Sequence, residues 1–226
     1  MTSPTPIVRE DPSSGELSSH DRILHAARTL FANHGYENTT TSAIARTAGT
    51  SESQLIKHFG SKEGLLEEIF EQSWRLMGRN LPQLLASHKA PVDRLQALTE
   101  MMFAALERDM DLRSLMLLEG RRIRRHGQMV VLTRGYMQLV AVIDGLLRDM
   151  REAGQLRADL NLEAIRSALI GSFEGLLRDQ LLAKRMGYPA GYDAEEMRAA
   201  FNAFFQCFLS GELASQPSPR DRASTA

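Results

Sequence analysis

The sequence predicts an all-α fold: an N-terminal three-helix helix-turn-helix domain followed by a C-terminal helical domain, about nine helices in all. Three observations predict it. Apolar residues recur at spacings of three and four along most of the chain, and no stretch shows the period-two alternation of a half-buried strand. Cap residues punctuate these runs, with Ser51, Asn161 and Asp193 in front of helices and Gly35, Gly49 and Gly154 behind them. Residues 40–59 hold two short capped helices and the glycine turn that joins them.

Residues 1–17 carry Pro4, Pro6 and Pro12 among Ser and Glu and predict a disordered arm. A first helix follows over Ser19–His34, with Ile23, Ala26, Ala27, Leu30 and Phe31 on one stripe and Gly35 ending it. Thr40 is placed to cap the next helix, Thr41–Thr47, whose Ile44, Ala45 and Ala48 face inward. Gly49 supplies the left-handed turn residue. Ser51 caps a third helix, with Gln54 at capping-box spacing and Leu55 and Phe59 on the buried side. Ser61 caps a fourth.

Around this motif stand Ile23-Leu24-His25-Ala26-Ala27-Arg28-Thr29-Leu30-Phe31, then Gly35-Tyr36, and downstream His58-Phe59-Gly60-Ser61-Lys62-Glu63-Gly64-Leu65-Leu66. In order and spacing this resembles the tetracycline-repressor (TetR) family, which runs Ala-Ala, Leu-Phe, Gly-Tyr, Thr-Thr, Ile-Ala, Ala-Gly, Ser, Leu, Phe, Lys and Leu. The resemblance covers the N-terminal quarter of the chain. It implies a helix-turn-helix whose second helix enters the major groove of duplex DNA. It also implies a regulator, a repressor released from its operator when a small molecule enters the body and biases the fourth helix. Two positions depart from the pattern. Ile56 stands where the family has a Tyr that hydrogen-bonds a phosphate, and Thr50 stands where the family has an apolar turn residue.

The fourth helix runs from Lys62 to about Arg79, about 25 Å, with Leu65, Leu66, Ile69, Phe70, Trp74 and Met77 in helical register; Asn80 and Pro82 are expected to stop it. The body then offers Val92–Arg108, with Leu95, Leu98, Met102, Ala105 and Leu106 inward, and a shorter helix over Asp111–Arg121. The basic run 121–126 reads either as a solvated bend or as an anion site. A long helix is expected over Gln128–Glu152, using Val131, Tyr136, Val140, Ile143, Leu147 and Met150. Asn161 or Asp159 caps the next, Leu162 to about Arg185, and Asp193 caps the last, through Ser210. From Ala214 on, the residues are small and polar. The division expected is a disordered arm (1–17), a DNA-binding domain (18–64), a helical regulatory and dimerisation domain (65–213) and a disordered tail (214–226).

Composition narrows the function classes. The whole chain carries 27 basic and 28 acidic residues, so net charge does not point to nucleic acid. Over 18–62, five basic side chains face three acidic ones. The single cysteine, Cys207, excludes an internal disulfide and suits a reducing compartment. No secretory signal or membrane span is expected, so a cytoplasmic protein is. With no metal-ligand spacing, no phosphate loop and no base near Cys207, no catalytic residue, no metal and no cofactor are expected.

The expected partners are double-stranded operator DNA, a small apolar or amphipathic effector and a second copy of the chain. For DNA the candidates are Thr40, Thr41, Ser51, Ser53, Gln54, Ile56, Lys57, His58 and Lys62. Thr40, Thr41 and Lys62 match the family's phosphate contacts. Gln54 can pair with an adenine edge or serve the capping box, and Lys57 can reach guanine or phosphate. For the effector they are Trp74, Met77, Met102, Phe103, Met116, Tyr136 and Met137, since Met and aromatic side chains adapt to varied apolar ligands. The last two helices are apolar nearly all round, which asks for a second cover. A homodimer interface at Ile170, Phe173, Leu177, Phe201, Phe204 and Phe208 is therefore expected, as the family also implies. The alternative function is a DNA-binding scaffold without small-molecule response.

Overall fold

The computed structural model describes residues 17–119, 124–125, 128–129 and 133–211. The fold is all-α, and the chain divides into two compact units, one through Leu66 and the other from Glu67. The expected arm apart from Leu17, the expected tail and core residue Val131 lie outside the described residues. So does the basic run, apart from the backbone of Arg124 and Arg125.

The first unit is built from α1 (Ser19–His34), α2 (Thr41–Thr47) and α3 (Glu52–Phe59), with α1 packed on both others and α2 on α3. Its local chemistry is that expected of the caps. Ser18 accepts from the Asp21 amide, Thr40 from Ala43 and Ser51 from Gln54. Gly35, Gly49 and Gly60 close the three helices at positive φ, where a Cβ would be strained. Ile23, Ala27, Phe31, Ile44, Leu55, Leu65 and Leu66 are fully buried. Helix α4 (Lys62–Gly78) begins in this unit and ends in the second.

The second unit contains α5 (Leu81–Ala86), α6 (Pro91–Arg108), α7 (Met110–Ser114), a π-helical turn (Leu115–Glu119), α8 (Arg134–Glu152), α9 (Leu162–Met186) and α10 (Ala194–Gln206). Helix α6 packs on α5 and α8, α8 on α9, and α9 on α10. Two arginines, the half-buried Arg198 and the buried Arg113, fasten the layers. Arg198 of α10 reaches Glu100 and Glu107 of α6, at 3.1 and 2.7 Å. Arg113 of α7 donates to the Leu177 carbonyl and Gln180 of α9, at 2.8 and 2.7 Å. Desolvation lowers the pKa of Arg113.

Helix α4 ends at Gly78, close to the expected Arg79, and Pro82 then sits in the first turn of α5, where a proline lacks only an amide that has no helical partner anyway. Three expectations need correction. The helix expected over Asp111–Arg121 divides into α7 and the π turn. The helix expected from Gln128 starts at Arg134, and Gln128–Met129 instead pairs antiparallel with Arg124–Arg125, a two-residue ladder that no periodicity signalled. The start at Arg134 is fixed by acceptors: Thr133 takes the Tyr136 amide, and Glu71 takes the amides of Arg134 and Gly135. Helix α10 ends at Gln206, short of Ser210, and Leu209 bridges to Leu156.

Candidate nucleic-acid interface and ligand cavity

Helix α3 has one buried residue, Leu55, and leaves Glu52, Ser53, Gln54, Ile56, Lys57 and His58 exposed. That asymmetry follows from its length: two turns pressed on α1 and α2 bury a single stripe. Phe59 is half-buried and stacks on His20 of α1, with ring centroids 4.8 Å apart. Ile56 is 45% exposed, an apolar side chain on an otherwise polar face. Arg46 on α2 and Lys57 on α3 are exposed cations with no ion-pair or hydrogen-bond partner among the described residues.

Several expected DNA contacts are engaged inside the unit. Lys62 Nζ donates to the carbonyls of Tyr36 (3.0 Å) and Thr39 (3.1 Å) and lies 4.2 Å over the Tyr36 ring. His58 Nε2 meets Ser19 Oγ at 3.0 Å, tying α3 to α1. The Thr41 hydroxyl donates to the Glu52 carboxylate, so the ends of α2 and α3 hold each other. Thr40 and Ser51 serve as caps, Ser53 Oγ lies 2.9 Å from Ser51 Oγ, and the Gln54 side chain is exposed. Thr50 is half-buried, with its amide on the Ala45 carbonyl. Beside Lys62, the Glu63 carboxyl is held below its usual range, first by its own amide at the start of α4 and then by the Ser61 and Tyr36 hydroxyls.

The second unit holds a partly open cavity of about 700 Å³ among α4, α6, the π turn, α8, α9 and α10. Of the expected effector contacts, Trp74, Met102, Met116, Tyr136 and Met137 line it. Met77 and Phe103 do not. Phe103 is fully buried behind the wall, tilted against Phe173 at 4.5 Å and edge-on to Phe201 at 5.6 Å. The lining also includes polar groups that sequence reasoning missed: Gln96, Thr99, Thr133, Arg166, Ser167, Glu174 and Asn202. Arg166 lies between Ile165 and Ser167 on α9, and its partner Asp144 is 22 residues away on α8, so no local signal singled it out.

One end of the cavity is a close junction of α4 and α8. Glu71 accepts from the amides of Arg134 (2.6 Å) and Gly135 (3.3 Å). A Cβ on Gly135 would lie 2.3 Å from Trp74 Cβ, so glycine is required for this approach. The rings of Trp74 and Tyr136 stand 6.0 Å apart at the same end.

The expected interface residues separate. Leu177 and Phe201 are buried in the chain's own body, because α10 packs Phe201 against Phe103, and are unavailable to a partner. Ile170 and Phe173 line the cavity. Phe204 is 37% exposed, edge-on to the half-buried Phe208 at 5.0 Å. Ala200, Ala203 and Cys207 are exposed on the same helical end, and Ala164, Ser167 and Gly171 are exposed on α9. Among the described residues, no group of His, Cys, Asp and Glu could hold a metal ion and no helix is long and apolar enough to cross a membrane.

Residues 23–69 match the family described as bacterial regulatory proteins, tetR family. The repressor KstR2 of Mycolicibacterium smegmatis is 36% identical over 99 residues, 43% of this chain; the chain spans about half of that relative, 47%. The regulator AcrR of Shigella flexneri is 28% identical over 187 residues, 79% of this chain and 83% of AcrR. Among solved structures, FadR of Bacillus subtilis in complex with stearoyl-CoA superposes with a TM-score of 0.66 at 19% identity, covering 85% of this chain and 98% of FadR, a likeness of fold.

Proposed function

The chain is a member of the tetR family of bacterial regulatory proteins, and from that premise we propose that it represses transcription by binding operator DNA as a homodimer, and that a small apolar or amphipathic effector releases it. The observation that carries the reading is the coexistence of an unburied α3 face and an apolar cavity. The first bears Gln54, Ile56 and Lys57 outward with the helix ends already tied. The second falls in the size range of small-molecule sites. Arg46 and Lys57 supply phosphate or base contacts, and Thr40, Thr41 and Ser53 orient the helix ends on the backbone. Lys62 and His58 act by positioning α4 and α3 rather than by touching DNA.

The dimer is proposed through the outer face of α9 and α10, where the exposed Ala200, Ala203 and Phe204 of α10 and the half-buried Phe208 offer small and aromatic side chains. Small residues permit close helix approach, and a two-fold pair presents two α3 helices to successive half-sites. Effector entering the cavity touches Phe70 and Trp74 on α4. The first turn of α4 carries Lys62, so a bias on that helix is felt by the reading unit. The stearoyl-CoA bound by FadR supports an effector with a long hydrocarbon part.

Selection from a randomised duplex library tests the reading. The expected outcome is an approximately palindromic site, bound as a dimer, with affinity falling steeply as salt rises. No enriched site, or equal retention of single strands, would overturn it.

A further inference from the structure

Arg166 is the one cationic side chain among the described residues that line the cavity. Its Nη1 donates to both carboxylate oxygens of Asp144, at 2.9 and 2.7 Å. Its Nε and Nη2 make no hydrogen bond among the described residues. The side chain is 23% exposed and Asp144 is 32% exposed, so the pair is neither sealed in the core nor free in solvent. Asp144 thus fixes one edge of the guanidinium plane and leaves the other edge, two parallel N–H donors, unoccupied. That edge matches the two oxygens of a carboxylate in shape as well as charge.

The rest of the cavity gives the ligand a direction. Arg166 and Asp144 stand at one end. Tyr136 lies eight residues before Asp144 on α8, about 12 Å along the helix, and its ring stands 6.0 Å from that of Trp74. Between these ends the wall is chiefly apolar, with Leu139, Val140, Ile143 and Ile170 among its residues.

We propose that the effector is a monocarboxylate amphiphile: its carboxylate docks on the Nε–Nη2 edge of Arg166, and its hydrocarbon tail runs through the cavity toward Tyr136 and Trp74. The assignment rests on the effector reading of the cavity. A dianionic head is disfavoured, because Asp144 stands on the opposite edge of the same guanidinium.

Dodecanoate, 1-dodecanol and dodecyl phosphate, each below its micelle concentration, test the assignment by calorimetry and by the fluorescence of Trp74, the chain's single tryptophan. Wild type should hold dodecanoate about tenfold more tightly than dodecanol, the scale of a charge-assisted hydrogen bond. Arg166→Gln should erase that difference and leave dodecanol binding unchanged. Asp144→Asn, which removes the competing carboxylate, should tighten dodecanoate. Dodecanol bound as tightly as dodecanoate, dodecyl phosphate bound more tightly than either, or dodecanoate binding unmoved in both variants would overturn the carboxylate assignment while the cavity reading stands. Failure of all three amphiphiles to bind wild type would overturn the cavity reading as well.

Discussion

The two units handle buried space in opposite ways. In the first, side chains fill the interior and the polar groups are largely engaged with one another: Lys62 with two carbonyls, His58 with Ser19, Thr41 with Glu52, Arg22 Nε with the Ala48 carbonyl. In the second, the helices line a partly open hollow of about 700 Å³, and residues such as Trp74, Met116 and Tyr136 remain half-covered at its wall. A reading surface needs fixed geometry, since a helix that shifts in its mount cannot hold a register on bases. A regulatory interior needs incomplete packing, since a ligand can bias only what is not already filled.

The largest effect that would break this comparison is a pair of truncations. Phe31→Ala removes a fully buried ring from the first unit and should cost about 3–5 kcal/mol. Met137→Ala at the cavity wall, where Met137 is 47% exposed, should stay within about 0.5 kcal/mol. Urea unfolding followed by circular dichroism measures both. Equal losses would mean that the body is packed as tightly as the head and that the hollow has no consequence for stability.

The same contrast explains what the sequence could reveal. The head was legible because its determinants are local. Thr40, Gly49 and Ser51 act within three or four residues of themselves, and the stripe of α1 repeats on one helix. The cavity was legible only in part. Trp74, Tyr136 and Met137 stood out as large residues with room to adapt, but which of them face a hollow depends on how five helices meet. Phe103 has the same composition signal and lies behind the wall. Leu177 and Phe201 looked like a second apolar stripe because helical periodicity does not distinguish a partner chain from a neighbouring helix of the same chain. The start of α8 was hidden for the same reason: Glu71, which fixes it, lies 63 residues before Arg134.

Lys62 offers a sharper cut within the head. The resemblance implies a phosphate contact, whereas the structure gives two of its donors to carbonyls and its charge to the Tyr36 ring. Lys62→Met keeps the stem and removes the ammonium. Thermal unfolding should show a loss of about 1–2 kcal/mol, since two carbonyls lose a charged donor. The slope of log affinity against log salt should not change. A slope reduced by about one with stability intact would return Lys62 to the DNA backbone.

The smallest expected effect lies on the α3 face itself. Ile56 is half-exposed, one residue after the fully buried Leu55, and so points away from the core. The family's Tyr at this position gives a hydroxyl to a phosphate, and isoleucine has no donor. Ile56→Tyr should therefore tighten operator binding by about 1 kcal/mol, roughly fivefold. The salt slope should hold, because no charge is added. Free-protein stability should move little at a solvent-facing site. The opposite outcome has its own physical meaning. An apolar side chain on a polar helix face can pack against a thymine methyl, and a tyrosine there would then lower affinity and relax one base preference. Titrating both proteins on the selected site, and on a variant with one thymine replaced, separates the two. Weaker binding together with lost discrimination at that thymine would make Ile56 a base reader, and the contrast between an engaged polar network and a free reading face would then run through α3 itself.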